Sequence, residues 1–255
     1  MLKLFDTHAH YDDERFDADG DSLIAKLPEN GIELVVNPSC NIESARKVLE
    51  IIGRHAHVYG AVGTHPHDAE GMSEDDIAEY YKMAVENPKI KAIGEIGLDY
   101  YYDNSPREIQ KKRLSDQMAL AEELDLPVII HDRDAHEDTL NILRRFPKVR
   151  GVVHCYSGSL EMAEQLVKMG YSLSFTGVIT YKNAKKSLEV IANIPQERIM
   201  IETDSPYLTP APKRGSRNDS PNVVFVAEKI AQILQMDCRE VADLTMKNGK
   251  RFFGI

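Results

Sequence analysis

The feature of this sequence that most constrains its fold is a regular alternation of short apolar runs with longer amphipathic segments. Eight such runs recur along the chain: Leu2–Phe5, Glu33–Val36, Val58–Val62, Ile90–Ile93, Pro127–Ile130, Gly151–Val153, Tyr171–Phe175 and Arg198–Ile201. Short runs rich in Val and Ile are typical of strands that are buried on both faces, as in a parallel sheet. The segments between them are long enough for the crossover helices that parallel strands require.

The chain length agrees with a closed barrel of these strands. A single (β/α)8 TIM barrel needs about 250 residues, and this chain has 255 residues without a linker, internal repeat or low-complexity tract. The pattern therefore predicts an α/β fold in which residues 1–255 form one TIM-barrel domain. An open, doubly wound parallel sheet is the alternative that strand counting alone does not exclude.

Capping residues predict several helix boundaries. The predicted helices run from Ser105-Pro106 to Leu124, from Ser159 to Gly170, from Ser220-Pro221 to Met236, and over Arg239–Phe252. The segment Thr209–Ser220, with two prolines and three basic residues, follows the eighth strand and is predicted to be a loop at the barrel mouth.

Composition and charge narrow the classes of function. The sequence has no apolar run near the roughly 20 residues that span a bilayer, no apolar segment near Met1 of the kind found in secretory signals, and three scattered cysteines without a CxxC pair. We therefore expect a cytoplasmic, monomeric protein without a membrane partner. The net charge of −10 argues against a broad basic surface for duplex nucleic acid, but bound cations would still let a cleft hold phosphates.

Metal-competent side chains follow the predicted strands. The carboxyl ends of TIM-barrel strands converge on one mouth, where catalytic residues lie. The residues at these ends are His8 and His10 (strand one), Glu95 (strand four), His131 (strand five), His154 (strand six) and Asp204 (strand eight). Each alone has an ordinary structural explanation, such as a hydrogen-bonded core histidine, an arginine-paired glutamate or an Asx turn. Glu202, inside the last strand, is predicted to form an ion pair with an arginine.

Taken as a set, these residues predict a metal centre. Imidazole and carboxylate ligands suit Zn²⁺, Mn²⁺ or Fe²⁺, and also Mg²⁺ with more retained water. Four histidines and two acids are enough for a two-metal centre with a bridging carboxylate, which suits phosphoester hydrolysis because it activates water and stabilises the attacking and leaving oxygens. His65, just after the third strand, is preferred to His67 for a role at this site.

At these residues the sequence resembles the TatD family of metal-dependent deoxyribonucleases. The match spans nearly the whole chain, and the combination of motifs is specific although no single motif is. The motifs are Asp6-Thr7-His8-Ala9-His10, Gly63-Thr64-His65-Pro66-His67, Gly94-Glu95-Ile96-Gly97-Leu98-Asp99-Tyr100, His131-Asp132-Arg133-Asp134-Ala135, His154-Cys155-Tyr156-Ser157-Gly158 and Glu202-Thr203-Asp204-Ser205-Pro206-Tyr207-Leu208.

The resemblance implies a ligand set and an activity. It implies that His8, His10, Glu95 and Asp204 hold one cation, and that Glu95 bridges to a second cation held also by His131 and His154. Mg²⁺ is the expected physiological ion, with Mn²⁺ or Zn²⁺ as alternatives. The resemblance further implies that His65 binds phosphate or assists catalysis, and that the chain is a deoxyribonuclease, often a 3′ to 5′ exonuclease on single-stranded DNA.

A mechanistic hypothesis assigns roles to further residues. Activated water attacks a phosphodiester in line, Asp204 orients or deprotonates this water, and His65 lies on the phosphate side. The predicted substrate contacts are Arg133 to a non-bridging oxygen, Tyr156 and Tyr207 to a terminal base, and Arg217, with the tract Lys182–Lys186, to the approaching strand. The structural alternatives are a surface salt bridge for Arg133, packing for the tyrosines and a solvated face for the basic residues.

Two other functions are compatible with the sequence. An amidohydrolase-type C–N or ester hydrolase would share the barrel and the strand-end histidines, although many binuclear members use a carboxylated lysine on strand four, where this chain has Glu95. A barrel that binds metal without turnover is the other alternative, but every expected ligand is present. Preference for DNA or RNA and the polarity of cleavage stay open.

Overall fold

The computed structural model describes residues 2–255 and contains all eight predicted strands in one parallel sheet, ordered β1 to β8 along the chain. The strands are Leu4–Asp6 (β1), Ile32–Pro38 (β2), Val58–Val62 (β3), Ile90–Asp99 (β4), Val128–Arg133 (β5), Gly151–Val153 (β6), Ser172–Phe175 (β7) and Ile199–Ile201 (β8). The α-helices are Gly20–Lys26 (α1), Ile42–Arg54 (α2), Glu74–Glu86 (α3), Arg107–Leu124 (α4), His136–Leu143 (α5), Leu160–Lys168 (α6), Lys185–Asn193 (α7), Val223–Leu234 (α8) and Cys238–Phe253 (α9).

The sheet closes between its first and last strands. The Thr7 N–H donates to the Ile201 carbonyl oxygen at 3.1 Å, and the Asp204 N–H donates to the His8 carbonyl oxygen at 2.9 Å. One residue further, Ser205 forms a parallel bridge with Ala9. A closed parallel sheet with a helix after each strand is a (β/α)8 barrel, so the predicted TIM barrel is confirmed.

Apolar side chains fill the inside of the barrel. Seven strands contribute to this layer through Phe5, Val36, Ala61, Ala92, Ile129, Val152 and Met200. Phe252 and Phe253 of α9 pack against the layer. A larger apolar cluster joins the outer face of the sheet to the surrounding helices. Because the barrel interior is packed in this way, chemistry is restricted to the open mouth.

The main difference from the sequence prediction is the length of β4 and β5. The apolar runs end at Ile93 and Ile130, but β4 continues to Asp99 and β5 to Arg133. The pairing register shifts between Ile93 and Ile96 and then continues to a pair formed by Asp99 and Arg133. Polar residues therefore occupy the carboxyl-terminal parts of these strands, because side chains at the barrel mouth contact other polar groups and not the apolar layer below.

Of the predicted capping residues, Ser159 acts as expected, whereas Ser105 and Ser220 do not cap an α-helix. Ser159 caps α6 by accepting a hydrogen bond from the Met162 N–H. Ser105 does not cap α4, because its hydroxyl donates to the His67 carbonyl oxygen and accepts from the Glu70 N–H, and Pro106 takes the N-cap position instead. The predicted helix after Ser220 begins with a 3₁₀ turn over Ser220–Asn222 before α8. Within residues 2–255, no helix combines the length and apolar character needed to cross a bilayer.

Candidate metal centre

The polar side chains of the centre lie one layer above the apolar layer inside the barrel. Residues two apart along a strand point to the same face. His131 therefore follows Ile129 into the barrel, and His154 follows Val152. Packed apolar groups lie below these imidazoles, and the barrel mouth lies above them.

Glu95 lies in the middle of this polar layer and is only 2% exposed. Within 4.0 Å, its oxygens meet five imidazoles and, within residues 2–255, no Lys or Arg nitrogen: His8, His10, His65, His131 and His154. The alternative of an arginine-paired glutamate is therefore wrong. A buried carboxylate surrounded only by imidazoles needs either shared protons or a cation to balance its charge.

One oxygen of Glu95 faces the loops that follow β1 and β8. Glu95 Oε2 lies 3.2 Å from His8 Nε2 and 3.4 Å from His10 Nε2. Asp204 Oδ1 lies 3.6 Å from His8 Nε2 and 3.5 Å from His10 Nε2. The two imidazole nitrogens are 2.9 Å apart. These four side chains are the set predicted to hold one cation.

The other oxygen of Glu95 faces strands β5 and β6. Glu95 Oε1 lies 2.8 Å from both His131 Nδ1 and His154 Nε2. These two nitrogens are 3.2 Å from each other. His65 Nε2 lies 3.4 Å from the same oxygen and so joins this second group. The structure therefore places Glu95 between two groups of donor atoms, as a bridging carboxylate requires.

The spacing of the donor atoms fits small divalent cations. Four ligands at about 2.1 Å from a tetrahedral ion lie about 3.4 Å apart. The contacts of both groups, from 2.8 to 3.6 Å, surround this value. Three overlapping sets of atoms are close enough to share an ion: His8–His10–Glu95, His65–Glu95–His131 and His8–His154–Glu202. Imidazole nitrogen with carboxylate oxygen is a donor chemistry suited to Zn²⁺, Mn²⁺ or Fe²⁺, with Mg²⁺ also possible in chemical terms.

The electrostatics of the centre couple its acids to its imidazoles. Burial alone raises the pKa of Glu95, but the neighbouring imidazoles of His154, His65 and His8 hold it well below the usual range. Burial lowers the pKa of His65 to about 4, so this imidazole is neutral at physiological pH. Burial also lowers the pKa of His8. Burial alone lowers the pKa values of His10, His131 and His154, but hydrogen bonds to neighbouring carboxylates raise them above the usual value. A bound cation would therefore displace protons that these imidazoles share with the carboxylates.

Asp99 orients two of the histidines, and the sequence prediction gave it no role. Asp99 Oδ2 lies 3.2 Å from His131 Nε2 and 2.8 Å from His67 Nε2. Because Nε2 of His131 faces Asp99, its Nδ1 is the nitrogen left to face Glu95. His67 contacts Asp99 and not Glu95, which agrees with the preference for His65 at the centre. Glu95, Gly97 and Asp99 are each two residues apart in β4, which places Asp99 on the same face as Glu95. This spacing is the sequence signal that could have identified Asp99.

Glu202 also has a different role from the predicted one. Its Oε1 accepts a hydrogen bond from the Cys155 N–H at 2.7 Å and lies 3.3 Å from His154 Nδ1. The predicted ion pair with an arginine is therefore wrong. Glu202 supports His154 from the side opposite Glu95, in the position of a carboxylate that orients a metal-binding imidazole.

Two of the predicted substrate contacts lie exposed beside the centre. The Tyr207 ring is 44% exposed and its centroid is 6.5 Å from that of His10. Arg133 is exposed at the end of β5, and its guanidinium lies over the rings of Tyr101 and Tyr102. The salt-bridge alternative does not describe Arg133, since its guanidinium meets no carboxylate within 4.0 Å in the described part of the chain.

The other two predicted contacts have structural partners. Tyr156 is buried, and its hydroxyl donates to the Ser159 carbonyl oxygen at 2.6 Å, which favours the packing alternative over base stacking. Arg217 forms a bidentate ion pair with Asp19 and lies over the ring of Phe16. Both interactions fix the loop after β8 against the loop after β1.

Comparisons with known proteins agree with the fold and with a metal-dependent hydrolase. The family model described as TatD related DNase matches residues 5–254. The chain is 44% identical over 254 residues, covering 99% of both chains, to YabD of Bacillus subtilis (strain 168), described as an uncharacterized metal-dependent hydrolase. The crystal structure of YjjV, a TatD homolog from Escherichia coli K12, matches with a TM-score of 0.93 at 30% identity, covering 99% of this chain and 98% of YjjV.

A more distant structure shows how widely the fold is shared. The crystal structure of an uncharacterized amidohydrolase from Saccharomyces cerevisiae has a TM-score of 0.88 at 20% identity and covers 99% of this chain and 100% of that one. At this identity the likeness shows the fold alone. The family model spans nearly the whole chain, and the residues of the motifs meet in one buried cluster. This chain therefore belongs to the TatD family of metal-dependent hydrolases.

Proposed function

We propose that this protein is a metal-dependent phosphodiesterase that degrades nucleic acid from its ends, with single-stranded DNA as the substrate. The observation that carries the proposal is the position of Glu95, whose two oxygens face two separate groups of donor atoms 2.8–3.4 Å away. Two cations about 3.5–4 Å apart, bridged by a carboxylate, activate water and stabilise the attacking and leaving oxygens of an in-line displacement.

The side chains of the centre would have separate roles in binding cations, water and phosphate. His8, His10, Glu95 and Asp204 would hold one cation, and Glu95, His131 and His154 the other. Asp204 is 15% exposed at the side chain and lies toward the mouth, so it can orient the attacking water or accept its proton. The neutral His65 donates or accepts a hydrogen bond on the phosphate side without adding a positive charge that would repel the cations.

The charge of the chain limits how a strand can be held, and one exposed ring supports a polymeric phosphodiester. The net charge of −10 means that the surface as a whole repels nucleic acid, so the strand would be held near the cations and not along a basic face. Tyr207 is exposed at the rim, 6.5 Å from His10 between ring centroids. An exposed ring in this place is suited to stack on the terminal base of a strand whose phosphate lies at the centre.

The competing function is hydrolysis of a C–N or carboxylic ester bond on the same metal centre. A yeast protein described as an amidohydrolase has a similar barrel, so the fold alone does not distinguish the two functions. Glu95 weakens this alternative, because many binuclear amidohydrolases bridge their cations with a carboxylated lysine from strand four. The substrates that distinguish the two functions are therefore a dipeptide, a lactone and a nucleobase, assayed together with the oligonucleotide.

The test compares two conservative substitutions with the wild type. Glu95→Gln keeps the shape of the side chain but removes its charge, and Glu86→Gln makes the same change at an exposed site on α3. With Mg²⁺ or Mn²⁺ and an end-labelled single-stranded oligonucleotide, we expect Glu95→Gln to lose more than about a hundredfold in rate and Glu86→Gln to match the wild type.

The same assay can reject the proposal. Equal cleavage by wild type and Glu95→Gln would show that the two-group centre does not carry the activity. Turnover of the dipeptide, lactone or nucleobase, with no cleavage of any oligonucleotide, would assign the centre to the competing function. Comparison of 5′-labelled and 3′-labelled strands gives the polarity.

A further inference from the structure

Two large aromatic side chains stand exposed at the barrel mouth directly after β4. Tyr101 is 59% exposed and Tyr102 is 55% exposed. Their ring centroids are 5.0 Å apart, and the rings are nearly perpendicular. Two aromatic rings that stay in water lack the stabilisation that burial would give. An adjacent exposed pair of this kind is typical of a surface that binds a ligand.

Arg133 completes this cluster from the neighbouring strand. Its guanidinium lies 4.1 Å from the centroid of Tyr101 and 4.7 Å from that of Tyr102. Residue 133 pairs with Asp99 across the end of the β4–β5 ladder, and its carbonyl oxygen accepts a hydrogen bond from the Tyr100 N–H. The backbone therefore fixes the guanidinium against the two rings, where its planar face can stack on a base.

The cluster is also tied to the metal centre. Asp99 Oδ1 accepts hydrogen bonds from the N–H groups of Tyr101 and Tyr102, both at 2.9 Å. The other oxygen of Asp99 contacts His131 and His67. The centroid of the Tyr102 ring is 5.3 Å from that of His67. One carboxylate thus sets the position of a candidate metal ligand and of both exposed rings.

A second cluster, formed by one aromatic side chain and a stacked arginine, lies on the opposite side of the mouth. Tyr207 follows β8, and the guanidinium of Arg15 lies 4.0 Å from its ring centroid. The Tyr207 hydroxyl donates to Asp13 at 2.9 Å, which fixes the ring. Strands β4 and β8 are four apart in a closed barrel of eight, so the two clusters face each other across the centre.

We propose that Tyr101, Tyr102 and Arg133 form a base-stacking subsite for unpaired nucleobases, on the side of the scissile phosphate opposite Tyr207. The proposal rests on the phosphodiesterase function proposed above and extends it from one base to both sides of the cleaved bond. Aromatic faces with stacked arginines bind single strands without reading sequence, because every base offers a flat face. Paired bases are already stacked on each other, so this subsite would select single-stranded over duplex ends.

The variants change the exposed rings and keep the centre intact. The double variant Tyr101→Ala/Tyr102→Ala removes the subsite, and Tyr101→Phe/Tyr102→Phe keeps its rings. Tyr81→Ala is the matched control, since Tyr81 is also an exposed tyrosine, at 40%, but lies on α3. Far-ultraviolet circular dichroism checks that all variants fold.

The substrates are two single-stranded oligonucleotides of equal length and charge, one with all its bases and one with abasic residues next to the scissile phosphate. We expect the wild type, Tyr81→Ala and the phenylalanine variant to prefer the base-bearing strand by about tenfold in kcat/KM, and the alanine double variant to lose this preference. Fluorescence anisotropy in the Glu95→Gln background, with the same strands, measures binding without cleavage and is expected to show the same loss.

The outcomes separate the two proposals. If the wild type cleaves oligonucleotides but the alanine double variant retains its full preference for bases in both assays, the subsite is refuted and the phosphodiesterase function stands. If the wild type cleaves no oligonucleotide, the phosphodiesterase function fails. In that case, base-dependent binding that is lost in the double variant would still support the subsite, and its absence would refute it.

Discussion

Replacing Gly97 with alanine is expected to open the barrel wall that holds Glu95 and His131. Gly97 lies in β4 at φ +155°, opposite His131 in β5. A Cβ atom there would lie 1.9 Å from the His131 carbonyl oxygen, whereas ordinary contact begins at 3.4 Å. The difference, 3.4 − 1.9 = 1.5 Å, has to come from movement of the backbone itself, because no flexible side chain is involved.

The expected cost follows from this geometry. Backbone strain of about 1–3 kcal/mol adds to overpacking of about 1–3 kcal/mol, so we expect a loss of about 3 kcal/mol or more in the free energy of unfolding. For a chain of this size that loss lowers Tm by about 6–12 °C. His131 and Glu95 are only 2.8 Å apart, so a shift of this size also separates two candidate metal ligands, and hydrolysis is expected to fall with stability.

Two other glycines supply matched controls. Gly170 has φ +91° at the end of α6 but no atom within 4 Å of the added Cβ, so alanine there adds backbone strain without a clash. Gly53 lies inside α2 with open space around it, and alanine is expected to stabilise that helix by about 0.5–1 kcal/mol. Urea unfolding and metal-supported activity are measured for all three variants. A Gly97→Ala protein as stable and active as Gly170→Ala would refute the reasoning.

Two further predictions concern charge. Burial raises the pKa of Asp6 from 3.8 to about 7. A raised folded-state pKa contributes stability that is complete below about pH 4 and is lost as the pH rises to about 7. Asp6→Asn is therefore expected to flatten the fall in unfolding free energy between about pH 4 and about pH 7, and parallel curves for the two proteins would contradict this. Removal of divalent cations with a chelator is expected to abolish hydrolysis and lower Tm, since a cation at a hundred times its Kd stabilises the folded state by about 2.7 kcal/mol. Mg²⁺ or Mn²⁺ is expected to restore both properties in the wild type but not in Glu95→Gln, and an equal gain in Tm for the two proteins would place the stabilising ion elsewhere.

The sequence predicts the barrel well because its strands are buried on both sides. Burial of this kind produces continuous apolar runs, and all eight runs correspond to strands. A polar side chain in the middle of a buried strand would be unfavourable, but at the carboxyl end of the strand it is a candidate ligand. His131 and His154 were therefore identifiable as a pair from their positions after apolar residues alone.

The prediction is weaker where a side chain's role depends on contacts across the barrel. Glu202 and Asp99 each contact a histidine from another strand, and nothing local in the sequence indicates those partners. Tyr156 and Tyr207 both follow metal-competent residues, yet one ring is buried and the other is exposed. The direction of each ring depends on how its loop packs against neighbouring loops, which apolar periodicity does not encode.

The seam between β1 and β8 has a consequence for the protein during its synthesis. Asp204 is held beside His8 by the hydrogen bond from its own N–H to the His8 carbonyl oxygen. The amino-terminal ligands therefore gain this partner only after almost two hundred further residues have been synthesised. A nascent chain that has not yet exported its eighth strand from the ribosome has an open barrel and an incomplete set of ligands. Hydrolysis that needs the complete set of ligands is therefore expected only after β8 has joined β1.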